Sequence, residues 1–311
     1  MKYCFGVDIG GTTVKMGIFE LEGKILDKWE IPTRTENKGE NILPDIAKAI
    51  EEKIQSMNLK REDIQGIGMG VPAPVTEDGV VKNTANLGWG YKEVTREMQE
   101  LTGFPAKAGN DANVAALGEM WLGAGKGHEN VVMVTLGTGV GGGIILGGKI
   151  LTGQNGAGGE IGHICVNYEE TESCGCGKQG CLEQYASATG ITRLAKRRLA
   201  KNEDASLLRT QEISSKTVFD ALKEGDAVAE EIVEEFGAYL GHAMANVAVI
   251  VDPAVIVIGG GVSKAGEILL GYVEKNFQEK AFFADKDTKF VLAQLGNDAG
   301  ICGAAKLIID N

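Results

Sequence analysis

Apolar residues fill positions 3–9 almost without interruption and stop at Gly10-Gly11, the pattern of a buried strand running into a turn. Residues 14–20 repeat it, and Glu22-Gly23-Lys24 turns the chain into a third predicted strand over 25–31. Ile42, Ile46, Ala49, Ile50, Ile54 and Met57 recur at helical spacing, which predicts an amphipathic helix over 42–57. A short strand over 64–69 runs into Val71-Pro72-Ala73-Pro74, where two prolines end it. Residues 92–102 and 113–122 read as helices.

The opening pattern then returns. Residues 131–136, Gly137-Thr138-Gly139, residues 140–146, Gly147-Gly148-Lys149 and Ile150-Leu151 again give strand, glycine turn, strand, Gly-Lys turn and strand. Setting Val7-Asp8-Ile9-Gly10 over Val134-Thr135-Leu136-Gly137 keeps both turns close to register. Two related lobes are therefore expected, each opening on an antiparallel hairpin. Further on, helices are predicted over 182–200, 216–223 and 227–249, and the polar, patternless stretch 201–215 is expected to be a mobile surface loop. A buried strand over 254–258 ends at Gly259-Gly260-Gly261, with a helix from Lys264, a strand over 289–293 and a closing helix to Ile309. Strands interleaved with helices specify an α/β fold. The lobes are expected over 1–112, with the segment 297–311 returning to it, and over 113–296.

Composition alters this picture in two places. Forty-five glycines exceed the average share of about 7% and are expected to gather in a few loops that line ligands. A net charge of -12 argues against a general nucleic-acid or anionic-membrane surface. An anionic ligand must then be held locally, by amides, a metal ion or a few cations. The N-terminus lacks a continuous apolar leader, and the apolar stretch 246–258 is interrupted by Asp252-Pro253 and too short to span a bilayer. A soluble, cytoplasmic protein is expected.

Three glycine turns follow strands directly: Gly10-Gly11-Thr12, Gly137-Thr138-Gly139 and Gly259-Gly260-Gly261. Successive amides without Cβ atoms make an anion nest. Asp8, ending the first strand, suits Mg²⁺ or its waters, since that ion takes one or two carboxylates plus phosphates. Thr12, Lys15 and Thr138 offer hydroxyls and a cation to the same phosphates. Each turn by itself reads equally well as a tight turn, and no Walker or Rossmann pattern occurs in its required context. Two matched turns in two matched lobes suggest a nucleotide held between them.

The densest chemistry lies in Glu160-Ile-Gly-His163 and Cys174-Gly-Cys176-Gly-Lys-Gln-Gly-Cys181-Leu-Glu183. One imidazole and three thiols are the ligand set of a closed, tetrahedral zinc site. The alternatives are a metal-free loop and a disulfide, the latter disfavoured in a chain without a secretory segment. Cys4, Cys165 and Cys302 are scattered elsewhere. Such a clip would hold Glu160 and Glu183 side by side. Both could accept pairs of sugar hydroxyls, and His163 could bind metal through one nitrogen and point the other N–H at substrate. Solvated or capping carboxylates are the plain alternative.

Asp111, in Gly109-Asn110-Asp111-Ala112-Asn113, precedes an alanine-rich helix. It reads either as a helix cap or as a base that takes the proton of an alcohol attacking phosphorus. Four other features are given lesser roles. His128 is expected in an exposed loop, His242 as a satisfied packing residue on a long helix, Lys196-Arg197-Arg198 as a solvated face, and Trp89 in core or hinge packing ahead of a sugar platform.

Over nearly its whole length the chain resembles the ROK family (repressors, open reading frames, sugar kinases), in particular its glucokinase-type members. Asp8-Ile-Gly-Gly-Thr12 is similar to the family's phosphate motif, Asn110-Asp111-Ala-Asn113 to its catalytic motif, Gly159-Glu160-Ile-Gly-His163 to its substrate and zinc motif, and the cysteine cluster to its zinc signature. The resemblance implies two ribonuclease-H-like lobes of the actin and hexokinase type with an interlobe cleft. It also implies ATP-dependent phosphorylation of the 6-hydroxyl of glucose, with mannose, N-acetylglucosamine or fructose as alternatives. Asp111 would be the base, and Asn110, Glu160, His163 and Glu183 would hold the hexose. His163, Cys174, Cys176 and Cys181 would bind structural zinc, Mg²⁺ would accompany ATP, and the chain would form a dimer or tetramer. Ala73 departs from the glycine of many members, which puts the local turn in question. With the first strand starting at residue 3, no room is expected for the DNA-binding segment of the repressors, and a non-catalytic sugar sensor is the rival reading.

Overall fold

The computed structural model describes residues 2–310. They contain strands β1 (Tyr3–Ile9), β2 (Thr13–Glu20) and β3 (Ile25–Pro32), the single turn α1 (Glu36–Gly39), helix α2 (Ile42–Ser56), and strands β4 (Ile64–Val71), β5 (Val80–Val81) and β6 (Lys92–Glu93). There follow α3 (Val94–Thr102), β7 (Ala106–Asn110), α4 (Asp111–Leu122), β8 (Val131–Leu136), β9 (Val140–Leu146) and β10 (Lys149–Ile150). The rest is α5 (Glu183–Ala186), α6 (Ala188–Lys201), α7 (Ser215–Lys223), α8 (Ala227–Val251), β11 (Val255–Gly259), α9 (Glu267–Lys280), β12 (Lys289–Leu292) and α10 (Ala299–Ile309).

The five-stranded sheets run β3-β2-β1-β4-β7 and β10-β9-β8-β11-β12. In each, the first strand of the set lies at the centre, its hairpin partners lie to one side, and later strands join in parallel on the other. The duplication expected from the two hairpins is thus a duplication of whole sheets. The predicted helix 42–57 becomes α2, with Ile42, Ile46, Ile50 and Ile54 buried against Phe5, Val7, Met16 and Ile67 in one core. Burying each such isoleucine contributes about 1.5–3 kcal/mol.

The chain divides into two compact units, one of residues 2–129, 143–159 and 294–310, the other of 130–142 and 160–293. Helix α4, expected in the second lobe, belongs to the first unit, and glycine packing explains why. A Cβ on Gly303 would stand 1.6 Å from the Val114 carbonyl oxygen, and one on Gly68 would stand 1.7 Å from that of Ala304. Helix α10 therefore lies backbone to backbone against α4 and β4. Many glycines serve this close approach inside helices and strands, so they are not confined to ligand loops as expected. Glu119, wholly buried on α4, accepts the N–H groups of Ala124 (2.8 Å), Gln294 (3.1 Å) and Leu295 (2.8 Å).

Several local expectations are corrected. Lys92 and Glu93 pair with Val80 and Val81 as a short strand, so α3 starts at Val94. The predicted helix 182–200 breaks at Ser187, whose hydroxyl oxygen accepts the Gly190 N–H and caps α6. Gly266, at φ 85°, separates a 3-10 turn over Val262–Ala265 from α9, which delays the helix expected from Lys264. The stretch 201–215 is pinned: Leu208 is buried, and Asp226 accepts the Ser206 hydroxyl (2.8 Å) and the Leu207 N–H (2.6 Å). One apolar anchor among polar and backbone ones leaves no hydrophobic period. Lys196 is exposed, as expected of a solvated face, but Arg197 and Arg198 are only partly exposed and are taken up in ion pairs. Arg197 pairs with Glu170 (3.1 Å) and Glu172 (2.7 Å), and Arg198 with Glu231 (2.5 Å) and Asp204 (2.7 Å).

Trp89 is buried and donates its indole N–H to Gly39 at 2.9 Å, a packing role. His128 is half-buried in a loop. His242 packs on α8, but its buried Nε2 has no hydrogen-bond partner among the described residues, and burial lowers its pKa. Among the described residues no helix is long and apolar enough to cross a membrane.

Candidate functional site

In the first unit, β1, β4 and β7 run parallel and finish together, with Asp8 beside Gly70, Gly70 beside Gly109, and Val71 beside Asn110. Loops at the carboxyl ends of parallel strands are where α/β folds gather their ligands. A Cβ on Gly70 would meet Asp8 Oδ1 and the Asp111 Cα at 3.7 Å each, so the smallest residue separates the two acids. Lys15 lies directly across from Asp8 in the β1–β2 ladder. Burial raises the Asp8 pKa and the Lys15 charge works against that rise. Gly11 and Thr12 are exposed at the turn, which closes through the Gly10 N–H on the Thr13 carbonyl (3.0 Å).

Asn110, not Asp111, caps α4. Its side-chain oxygen accepts the N–H groups of Ala112 (3.0 Å) and Asn113 (3.1 Å), while its amide donates to the Ala73 carbonyl (3.2 Å). The turn holding Ala73 forms without glycine, its N–H bonded to the Val71 carbonyl at 2.8 Å. With the capping duty taken by its neighbour, Asp111 occupies the first helical position, where the positive end of the helix dipole favours a carboxylate. One Asp111 oxygen accepts the Ala112 N–H at 2.8 Å. Asn113 is buried and donates to the Gly158 carbonyl at 3.0 Å.

In the second unit, ligand atoms of His163, Cys174, Cys176 and Cys181 all lie within 4.8 Å of one another. Cys176 and Cys181 have sulfurs 3.6 Å apart, and Cys174 Sγ is 4.0 Å from His163 Nδ1. Sulfurs on one tetrahedral zinc, each about 2.3 Å from the metal, stand at about this spacing. All six cysteines are free, so the disulfide alternative fails. The knuckle turns through Gly177 and Gly180, at φ 84° and 74°. A Cβ on Gly180 would stand 1.9 Å from the Asn167 carbonyl oxygen. Cys165 bridges Cys181 through the backbone but lies outside the four-residue group. The donor set and its spacing fit zinc, with His163 Nδ1 facing the thiols.

Glu160 is exposed at the start of the 3-10 turn Ile161–His163, and its carbonyl accepts the His163 N–H at 3.1 Å. Glu183 opens α5, with Oε2 accepting the Val140 N–H at 3.1 Å. The turn Gly137–Gly139 ends β8, next to Gly259 at the end of β11. Gly260, at φ 84°, lies over the Leu136 backbone, where a Cβ would approach its carbonyl oxygen to 2.5 Å. The second and third glycine turns therefore adjoin. Beside them, Gly261, Val262 and Lys264 line a cavity of about 180 Å³ with Lys216, Phe219 and Asp220 of α7. Sequence reasoning missed the α7 wall; its one signal was the glycine turn facing it.

The ROK family profile matches residues 4–311. The chain belongs to the ROK family. It is 44% identical to a glucokinase of Halalkalibacterium halodurans over 99% of this chain and 95% of that one. It is 37% identical to a glucokinase of Thermotoga maritima, over 97% and 96%. A solved ROK glucokinase of Streptomyces griseus, in complex with glucose and AMPPNP, is similar at a TM-score of 0.76 and 35% identity, covering 99% of this chain and 100% of that one. Both sheets thus carry the actin and hexokinase type of ROK lobe.

Proposed function

We propose that this ROK protein transfers the γ-phosphoryl group of ATP to the 6-hydroxyl of glucose. The observation that carries this reading is the full-length identity of 44% to a glucokinase. Asp111 takes the hydroxyl proton during in-line attack, help worth about 10²–10⁴ in rate. Its position at a helix start capped by Asn110 supports that role. Asn110, Glu160, His163 and Glu183 hold the sugar, and Asn110 also orients the start of α4. The turns Gly10-Gly11-Thr12, Gly137-Thr138-Gly139 and Gly259-Gly260-Gly261, with Lys15, receive the phosphates. The cavity beside Gly261 takes the nucleoside end. Mg²⁺, held at Asp8 and the phosphates, supplies charge neutralisation when bound. His163, Cys174, Cys176 and Cys181 hold structural zinc, which keeps the loop before Glu183 in place. A cytoplasmic dimer or tetramer acting early in glycolysis completes the reading.

The test is MgATP-dependent ADP release across glucose, mannose, fructose and N-acetylglucosamine. Turnover greatest on glucose is expected. Preference for another sugar changes the substrate and keeps the chemistry, and no turnover by zinc-loaded protein removes the kinase reading.

A further inference from the structure

Glu183 has business on both sides. Its Oε2 accepts the Val140 N–H at 3.1 Å, and a Cβ on Gly139 would stand 2.2 Å from that same oxygen. Its Oε1 lies 3.5 Å from Cys174 Sγ, in the metal loop. The turn it touches is closed by the Gly137 N–H on the Gly139 carbonyl (3.0 Å). Two more bonds tie that turn to the segment after Glu183: the Ala188 N–H reaches the Gly137 carbonyl at 2.8 Å, and the Thr189 hydroxyl donates to the Thr138 carbonyl at 2.7 Å. The second phosphate turn is thus bonded to the same few residues that follow the metal loop.

A carboxylate accepting a backbone N–H makes a charge-assisted bond, stronger and more directional than a neutral one. A sugar hydroxyl donating to the same carboxylate fixes its position and, with it, the position of Val140 and the turn. A contact that orders one site through another also works in reverse, with equal coupling. We propose that Glu183 is a positioning residue for the phosphate turn 137–139, so that hexose and nucleotide each strengthen binding of the other. This rests on the kinase reading above, and adds to it a second task for Glu183.

The experiment measures two affinities separately by calorimetry, glucose without nucleotide and the Mg²⁺ complex of a non-hydrolysable ATP analogue without sugar. Zinc content and melting temperature are recorded for each protein. In the wild type each ligand is expected to tighten the other about fivefold or more. In Gly139→Ala the added methyl meets the tip of a flexible side chain, so the carboxylate moves and the fold stays. Glucose affinity should then fall about fivefold or more with no nucleotide present. In Glu183→Asp the shortened side chain loses Val140, and analogue affinity should fall comparably with no sugar present. Thr189→Val, which cuts a tie not made by Glu183, should weaken the analogue alone. Either of the first two variants keeping its remote affinity, at native zinc content and melting temperature, overturns the proposal. If Gly139→Ala loses its zinc, Glu183→Asp decides by itself. A wild type that binds neither ligand removes the kinase reading and this proposal together; one that binds both while the variants do not respond removes the proposal alone.

Discussion

The two sheets share one strand order but are finished by different forces. In the first unit, α10 is set against β4 and α4 at Gly68 and Gly303, where backbones meet with no side chain between them. In the second, the stretch from Glu160 to the start of α6 has little regular structure. It is held by Glu170, buried among Arg193, Arg197 and Tyr185, and, on the proposed reading, by a metal ion at His163, Cys174, Cys176 and Cys181. Contact packing is insensitive to chelators and acid, whereas coordination and charge pairing are not. Two copies of one design should therefore fail under different insults.

The largest single effect concerns chemistry. Asp111→Asn should lower kcat by about 10²–10⁴ or more while glucose affinity stays near wild type. Lost glucose binding at unchanged kcat would move Asp111 from base to ligand. Next comes metal removal. A strong chelator, or Cys176→Ser, should raise hydrogen exchange over residues 163–183 and leave the amides of β1 and β4 protected; equal loss in both units would erase the contrast. Glu170→Ala should then cost about 3–5 kcal/mol, as expected when one partner of a buried charge cluster is removed, read as a lowered denaturation midpoint.

The same carboxylate gives a pH test with a definite sign. Burial works to raise the Glu170 pKa, but hydrogen bonds from Arg197, Tyr185, the Glu172 N–H and Arg193 outweigh it and hold the carboxyl well below the usual range. Its contribution is therefore complete above the unfolded glutamate value of about 4.3 and is lost as the pH falls below that toward the depressed folded value. The stability gap between wild type and Glu170→Gln should be constant from pH 7 to about 5.5 and narrow toward pH 3. The smallest effect is Gly17→Ala, about 1–3 kcal/mol from overpacking against the Phe19 and Ile301 side chains, with no dependence on chelator or pH.

What could be read in the sequence divides along the same line. The hairpins, α2 and the clustering of His163 with Cys174, Cys176 and Cys181 were legible because each is written in short-range spacing: an apolar run, a helical period, a cluster of thiols. Asp111 was placed at a helix start, but the division of labour with Asn110 required the bond to Ala73 from another strand end. The Glu170 cluster was not legible, since its charges come from a loop and a helix that share no spacing pattern, 23 and 27 residues apart. Glycine was misread for a related reason. Gly68 and Gly303 carry no local signature, and the backbone each one admits belongs to a distant segment.

Glu119 has a consequence for how the chain is made. The N–H groups it receives come from residue 124 and from residues 294 and 295, and α10 is synthesised roughly 180 residues after α4. At about 5–20 residues per second, the ribosome needs on the order of ten to thirty seconds to bridge that interval. Until then the half of the molecule translated first has a buried carboxylate short of donors and two glycine notches standing open. The nascent amino-terminal half must wait for the last helix, and the half translated second is the first that can be finished.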